Sequence, residues 1–244
     1  MIITSKENKI YKFVRKLSEK KFRDECGAFI VEGARAVADV VAYRPGLIDS
    51  VLVAESKTGT YENEIVFADE LFARLSETVN SQGVLAVLKK PAPSAANSQH
   101  ALYLDGIRDP GNLGTLIRTA CAAGYHDVYL RGCADPYAGK VVRSTMSAIV
   151  KVNLIEADEN TLSKLKSDGY TVFGADMDGR SVFGYAAPHK FCLIIGGEAD
   201  GITECCASQC DVMLSIPMDG QIESLNAAVS GAVMMYTLKF QQVR

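Results

Sequence analysis

Apolar and polar positions follow two rhythms along this chain. Ile10, Phe13, Val14 and Leu17 recur at helical spacing, with Ser5 ahead of them as a candidate cap. Residues 28–32 form an apolar run of strand length, and 33–41 follow at helical period. Further strands are expected at 50–54, 64–68 and 84–89. Strands alternating with helices predict a small α/β unit. Lys89-Lys-Pro-Ala-Pro-Ser-Ala-Ala-Asn-Ser-Gln then breaks the rhythm. Its prolines and small polar residues suit a linker. The chain divides into residues 1–92, a linker at 93–99, and residues 100–244.

The second unit resumes the alternation. Strands are expected at 101–104, 127–130, 170–174, 192–195 and 212–216, and helices at 113–123, 139–149, 161–167 and 224–240. Near-continuous apolar strands separated by helices predict a mostly parallel sheet with helices on both faces. Ligands of such sheets bind at the carboxyl ends of the strands.

Composition adds limits. The 244 residues are 48% hydrophobic and 23% charged, which excludes an intrinsically disordered chain. No apolar run reaches the roughly 18 residues of a membrane helix, and the amino terminus lacks the apolar core of a secretory signal. Seven scattered cysteines favour reduced thiols and a cytoplasmic setting over a disulfide framework. Net charge is −3, but residues 1–25 carry eight basic and four acidic groups, 8 − 4 = +4. The other 219 residues therefore sum to −3 − 4 = −7. A basic end on an acidic body is either a polyanion footprint or a solvated helix face.

Three motifs stand at strand ends. The first is Leu104-Asp-Gly-Ile-Arg-Asp-Pro-Gly-Asn-Leu-Gly-Thr-Leu-Ile-Arg. Its glycines fit neither a dinucleotide fingerprint nor a P-loop, since Asn112-Leu113 stands where Lys-Ser/Thr is needed. Asn112 is a candidate N-cap. Arg118, in an apolar helical stretch, calls for an anionic partner or a phosphate. Six residues apart, the two share a pocket only if Asn112 lies in the turn before the helix. The second motif is Ile195-Gly-Gly-Glu-Ala-Asp-Gly201, where glycines let backbone approach a ligand and Glu198 stands at the strand mouth. The third runs from Ile216-Pro-Met218 to Ser224-Leu-Asn226-Ala-Ala. Ser224 is a candidate cap for a tightly packing small-residue helix, which leaves Asn226 one turn inside it.

Cys205, Cys206 and Cys210 lack a second ligand pair and a nearby histidine, so no metal is expected. His100, His126 and His189 are isolated. Tyr11, Phe13 and Phe22 suit either core packing or base stacking.

In order and spacing, Asn112-x-Gly114-x-x-x-Arg118, Gly196-x-Glu198-x-x-Gly201 and Ile216-Pro-Met218 with Ser224-Leu-Asn226 resemble the SpoU (TrmH-type) RNA ribose 2′-O-methyltransferases. The resemblance spans residues 101–240. A weaker likeness of Phe29-Ile-Val-Glu-Gly-Ala-Arg and Gln82-Gly-Val-Leu-Ala-Val to the family's substrate-binding domain covers the first unit. It implies a deep trefoil knot, an exception to the usual unknotted connections. It implies S-adenosylmethionine held in a bent form by backbone groups around Gly196, Gly197, Ile216, Met218 and Leu225. It implies a homodimer whose active site borrows residues across the interface and a functional set of Asn112, Arg118, Glu198, Ser224 and Asn226; with no long apolar run, no membrane partner is expected. The family's Arg118 activates the ribose 2′-hydroxyl. Guanidinium holds its proton, so the tamer role is to hold a phosphate and stabilise the developing alkoxide. With the resemblance, Lys12, Arg15, Lys16 and Lys20 become candidate RNA contacts. The two-domain layout favours ribosomal RNA. Transfer RNA, and a non-catalytic RNA-binding protein on the same fold, are the alternatives; the failed fingerprints disfavour a nucleotide-dependent oxidoreductase.

Overall fold

In the computed structural model, residues 1–92, 94–220 and 224–241 are described. Pro93 of the expected linker and residues 221–223 of the third motif lie outside them. The chain forms two compact units, 1–92 with 135–150, and 93–134 with 151–244.

The first unit begins with β1 (Ile2–Ile3), α1 (Lys9–Lys16) and α2 (Lys20–Cys26). Asn8, not Ser5, caps α1: its side chain accepts from the Ile10 amide at 2.8 Å, while Ser5 Oγ accepts from Glu7. There follow β2 (Ala28–Glu32), α3 (Ala34–Tyr43), β3 (Ile48–Ala54), β4 (Ile65–Phe67), α4 (Asp69–Ala73) and β5 (Val84–Lys89). The five-stranded sheet has the order β1-β4-β3-β5-β2. Its β1–β4 and β3–β4 pairs are parallel, and its β3–β5 and β2–β5 pairs antiparallel. Tyr11 and Val14 of α1 and Leu17 at its C-cap join Leu71 and Phe72 of α4 over Leu52, Phe67 and Leu85. Of the four residues the helical period picks out, Val14 and Leu17 are buried and Ile10 and Phe13 pack half-buried against them, with Tyr11 joining the core.

The second unit opens with residues 94–99, pinned to side chains of its own sheet. Asp127 Oδ2 accepts from the Asn97 and Ser98 amides, and Asn153 exchanges hydrogen bonds with the Ser94 backbone. Next come β6 (His100–Asp105), α5 (Pro110–Ala123) and β7 (Asp127–Arg131).

The chain then re-enters the first unit. The helix expected over 139–149 is α6 (Gly139–Thr145), which packs on β2. It ends at Met146 and Ser147, both left-handed at φ 48° and 70°. Such φ values are costly without glycine, so sequence gave no stop signal there. Ser147 Oγ donates to Asp39, Arg143 pairs with Glu77 at 2.7 Å, and Tyr137 packs 4.8 Å from Phe29. Arg23 is 4% exposed and pairs with Asp135, which is 10% exposed. Its Nη1 also donates to the Leu17 carbonyl, but its Nε is buried with no partner among the described residues.

The second unit resumes with β8 (Asn153–Glu156), α7 (Thr161–Ser167), β9 (Thr171–Ser181), β10 (Phe191–Gly196), α8 (Glu204–Ala207), β11 (Val212–Ser215) and α9 (Ala227–Phe240). Its six-stranded sheet, β11-β9-β10-β6-β7-β8, is wholly parallel. Period-2 alternation splits each central strand between two cores. Tyr103, Cys192 and Ile194 face Leu162 and Leu165 of α7 and Cys206 of α8. On the other face α9 packs on β10 and against α5. A Cβ on Gly231 would run into Leu116 of α5, and the Tyr125 hydroxyl donates to the Met235 carbonyl at 2.9 Å. The small residues of α9 do permit the close packing expected of them. No described helix is long and apolar enough to cross a membrane.

The Arg23–Asp135 pair carries a stability prediction. Arg23→Met should cost about 3–5 kcal/mol in urea unfolding, because it strands a buried carboxylate. The double variant Arg23→Met/Asp135→Leu should recover most of that loss; an equally unstable double variant would show that packing, not charge, holds the segment.

Candidate active site

A cleft of about 1620 Å³, counting the solvent at its mouth, opens in the second unit. Ala175 and Asp176 of β9 line it, with the 196–201 turn after β10 and Ile216 and Met218 after β11. Ser224, Leu225 and Asn226 close another side, and Ser230 and Met234 of α9 add to it.

The turn after β10 folds on itself. Gly197 and Gly201 exchange amide–carbonyl bonds of 3.1 and 3.0 Å. A Cβ on Gly196 would run into the Gly201 backbone, and one on Gly197 would lie 2.6 Å from the Gly106 carbonyl oxygen. These two glycines allow loop to meet loop; the expectation was an approach of backbone to ligand. Just beyond the turn, Thr203 donates from its amide (2.8 Å) and hydroxyl (2.7 Å) to Asp105 at the end of β6. Arg131 donates to the same carboxylate at 2.9 Å. Burial opposes ionisation of Asp105, which is 1% exposed, but the Thr203 and Arg131 donors outweigh it and hold the carboxyl below its usual range.

Three residues far apart in sequence meet in one chain of hydrogen bonds. Asn226 is the N-cap of α9, its Oδ1 accepting from the Ala228 (2.9 Å) and Val229 (3.3 Å) amides. Its Nδ2 donates to Asn112 Oδ1 at 3.0 Å, and Asn112 Nδ2 donates to Glu198 Oε1 at 2.6 Å.

The geometry corrects three expectations. Ser224 does not cap the last helix, and Asn226 is not one turn inside it: Asn226 is the cap, and Ser224 lies exposed in the loop lining the cleft. Asn112 is not a cap either. Asp109 caps α5 by accepting from the Asn112 amide at 2.8 Å, with Pro110 in its first turn. Asp-Pro is a readable helix start that carried this signal. Arg118 is exposed on α5, not buried against an anion. With both residues inside the helix, Asn112 and Arg118 point about 120° apart, so one chain does not bring them into one pocket.

The other expected residues converge. Gly196, Gly197, Ile216, Met218 and Leu225 all line the cleft, with Glu198, Ser224 and Asn226 among them. Sequence reasoning missed Asp176 and Met177. They lie on an extension of β9, whose only sequence mark was the in-strand Gly179.

In the first unit the four candidate RNA contacts all have internal partners. Lys12 pairs with Glu7, and Lys20 with Asp24 at 3.1 Å. Arg15 donates to the Arg74 carbonyl at 2.8 Å, and Lys16 lies 5.5 Å from the Phe22 ring centre. Phe13 and Phe22 meet edge-on at 5.5 Å beside buried Tyr11, as core residues. The Cys133 and Cys210 thiols are poor nucleophiles, since burial pushes both up to about 11.

Comparison with known proteins places this geometry. Residues 99–236 match the SpoU rRNA Methylase family, and residues 8–86 match the MRM3-like substrate binding domain. The chain belongs to the SpoU rRNA methylase family. It is 31% identical to the Bacillus subtilis 23S rRNA (guanosine(2553)-2′-O)-methyltransferase RlmP, over 97% of this chain and 98% of that one. A crystallised rRNA methyltransferase of Sinorhizobium meliloti with AdoMet bound superposes at a TM-score of 0.86, with 26% identity, covering 100% of this chain and 99% of that one. A TrmH-family RNA methyltransferase structure from Porphyromonas gingivalis gives 0.81 at 31% identity, over 93% and 95% of the two chains. In this SpoU chain the three motifs are joined physically, through Asn226, Asn112 and Glu198.

Two outcomes follow from the geometry. Asn226→Ala should lose about 1 kcal/mol of stability with the cap, whereas Asn226→Asp should keep the cap and the melting temperature but turn an acceptor onto Asn112. Methyl transfer should therefore fall in both variants and stability in only one; equal unfolding midpoints for the two would refute the split. For Asp105, the folded carboxyl is depressed. Its contribution is present above the unfolded value of about 3.9 and lost as pH falls through the folded one. The stability gap between wild type and Asp105→Asn should shrink below about pH 4 in denaturation at stepped pH.

Proposed function

We propose that this chain is an S-adenosylmethionine-dependent RNA 2′-O-ribose methyltransferase acting on ribosomal RNA in the cytoplasm. The observation that carries the reading is the Asn226–Asn112–Glu198 chain at the edge of the cleft. The residues present fit the cofactor: its described lining has three carboxylates and no basic group, which suits a cationic ligand, beside a glycine turn rich in backbone donors and acceptors.

Bound there, S-adenosylmethionine supplies a methyl group on a sulfonium, and transfer to a ribose 2′-oxygen is an in-line displacement that rewards alignment. Gly196, Gly197, Ile216, Met218 and Leu225 hold the cofactor, and the knot expected from the resemblance runs through their loops. Asn112 and Glu198 position the ribose. Asn226 fixes Asn112, and Ser224 shapes the loop against the substrate. Lys12, Arg15, Lys16 and Lys20 meet RNA phosphates by exchanging their internal partners, all of which are exposed or half-exposed.

Arg118 works in the site of a second copy. Its place on α5 leaves it outside its own chain's cleft, and α9, beside α5, is apolar on its outer side. Val229, Tyr236 and Phe240 share a face there and are 49%, 42% and 73% exposed. A homodimer covers that face and brings Arg118 across it to hold the phosphate and stabilise the alkoxide.

The test is methyl transfer to rRNA from cells lacking the gene, with the modified ribose mapped. Arg118→Ala should cut transfer on the order of 10²–10³-fold and leave cofactor affinity within about twofold. Mixed and re-associated with Asn226→Ala subunits, it should recover roughly a quarter of the sites under random pairing. A mixture as inactive as its parents would place Arg118 in its own chain's site, and methylation of tRNA alone would overturn the substrate assignment.

A further inference from the structure

The three carboxylates among the described cleft residues have different duties. Glu198 is committed to Asn112 at 2.6 Å; Asp200 on the glycine turn and Asp176 on β9 are both exposed, and of the two it is Asp176 that a backbone amide orients. Asp176 arrives by an irregularity in the sheet. β9 pairs with β11 through Gly174 and Met213, and the next pair is Arg180 with Leu214, so residues 175–179 loop out of register. A Cβ on Gly179 would lie 2.7 Å from the Leu214 backbone, so glycine is what lets the strand rejoin the sheet. Inside the excursion the Asp178 amide donates to Asp176 Oδ1 at 2.8 Å and fixes the carboxylate at the cleft wall. Bulges of this kind re-aim a side chain beside a site.

We infer that Asp176 is a specificity-determining residue that makes the cleft prefer the sulfonium cofactor over its neutral thioether product. The inference rests on reading the cleft as the S-adenosylmethionine site. Cofactor and product differ by one methyl group and one positive charge. Backbone contacts to adenine, ribose and the amino-acid end are common to both, so they cannot separate them. A carboxylate on a cleft wall without a basic neighbour in the described lining can, because its attraction acts on the charge alone. The charge disappears from the ligand on methyl transfer, so the same carboxylate weakens retention of product.

The experiment is calorimetric titration of the full chain with S-adenosylmethionine, its protonated-amine analogue and S-adenosylhomocysteine, at low and high salt. Wild type should prefer the two cationic ligands over the thioether, with the margin narrowing in salt. Asp176→Asn should cut that margin about three- to tenfold, or 0.7–1.4 kcal/mol at 1.4 kcal/mol per decade, with thioether affinity within about twofold. Asp176→Glu should retain the margin. An unchanged margin, or an equal loss for all three ligands with the melting temperature intact, overturns the role of Asp176. Failure of wild type to bind any of the three overturns the cofactor reading, and this inference with it.

Discussion

The hydrogen-bond chain at the cleft has one satisfiable polarity, and the arrangement around it depends on that. The carbonyl oxygen of Asn226 is taken by two amides at the start of α9, so its NH₂ must point outward and donate. Asn112 must then turn its oxygen to Asn226 and its NH₂ to Glu198. The last member must present an acceptor, which a carboxylate does with either oxygen. The start of α5, the start of α9 and the turn after β10 are thereby locked together, across separations of 86 and 114 residues. A helix cap, ordinarily a local stabilising device, here sets the orientation of a side chain on another helix.

The parallel sheet explains why these segments can meet. All six strands point the same way, so every loop after a strand emerges at one edge. Register then matters at single-residue resolution. Gly196 pairs with Asp105, which places the buried carboxylate beside the root of the glycine turn. Thr203 reaches back to that carboxylate, and Gly197 rests against Gly106. The turn is tied at both ends to the end of β6, and its whole length from Gly196 to Gly201 lines the cleft, with Glu198, Ala199 and Asp200 at the tip. Asp105 needs three donors because it is buried, and Arg131 balances its charge.

Much of this was legible in the chain. The strand at 84–89 and the helix at 161–167 are found at the expected residues, because strong local patterns bound them. The five expected cofactor positions converge because they follow strands of a parallel sheet. What escaped depended on distant partners. Ser224 and Asn226 are both good capping residues, and Asn112, far away in sequence, accompanies the choice of Asn226. Arg118 has apolar neighbours at Leu116 and Ile117, but residues 115, 118 and 122 form the exposed side of the helix. Residues 135–150 fold with the first unit through distant contacts such as the Arg23–Asp135 pair, which spans 112 residues and leaves no local trace. The excursion at 175–179 exists only as a mismatch between two strands, so only Gly179 hinted at it.

Arg118 and α9 pose one problem with one solution. A helix apolar on every side is ordinarily buried on every side, yet α9 leaves Val229, Tyr236 and Phe240 uncovered in a single chain. An arginine assigned to the reaction ordinarily lines the cleft, yet Arg118 is exposed on α5 and outside the cleft's described lining. Covering α9 alone would leave the arginine without a task, and moving the arginine alone would require breaking α5, whose Leu113, Leu116 and Ile117 are fully buried. The proposed homodimer, with a second copy seated on α9, answers both in one step. Transfer by the proposed mechanism then requires two chains. In that proposal the cofactor side is fixed within one chain by the asparagine pair and Glu198, and the other chain supplies the charge that stabilises the alkoxide. Guanidinium suits that second duty better than proton abstraction, because its charge is permanent and its planar fork can grip a phosphate without first losing a proton.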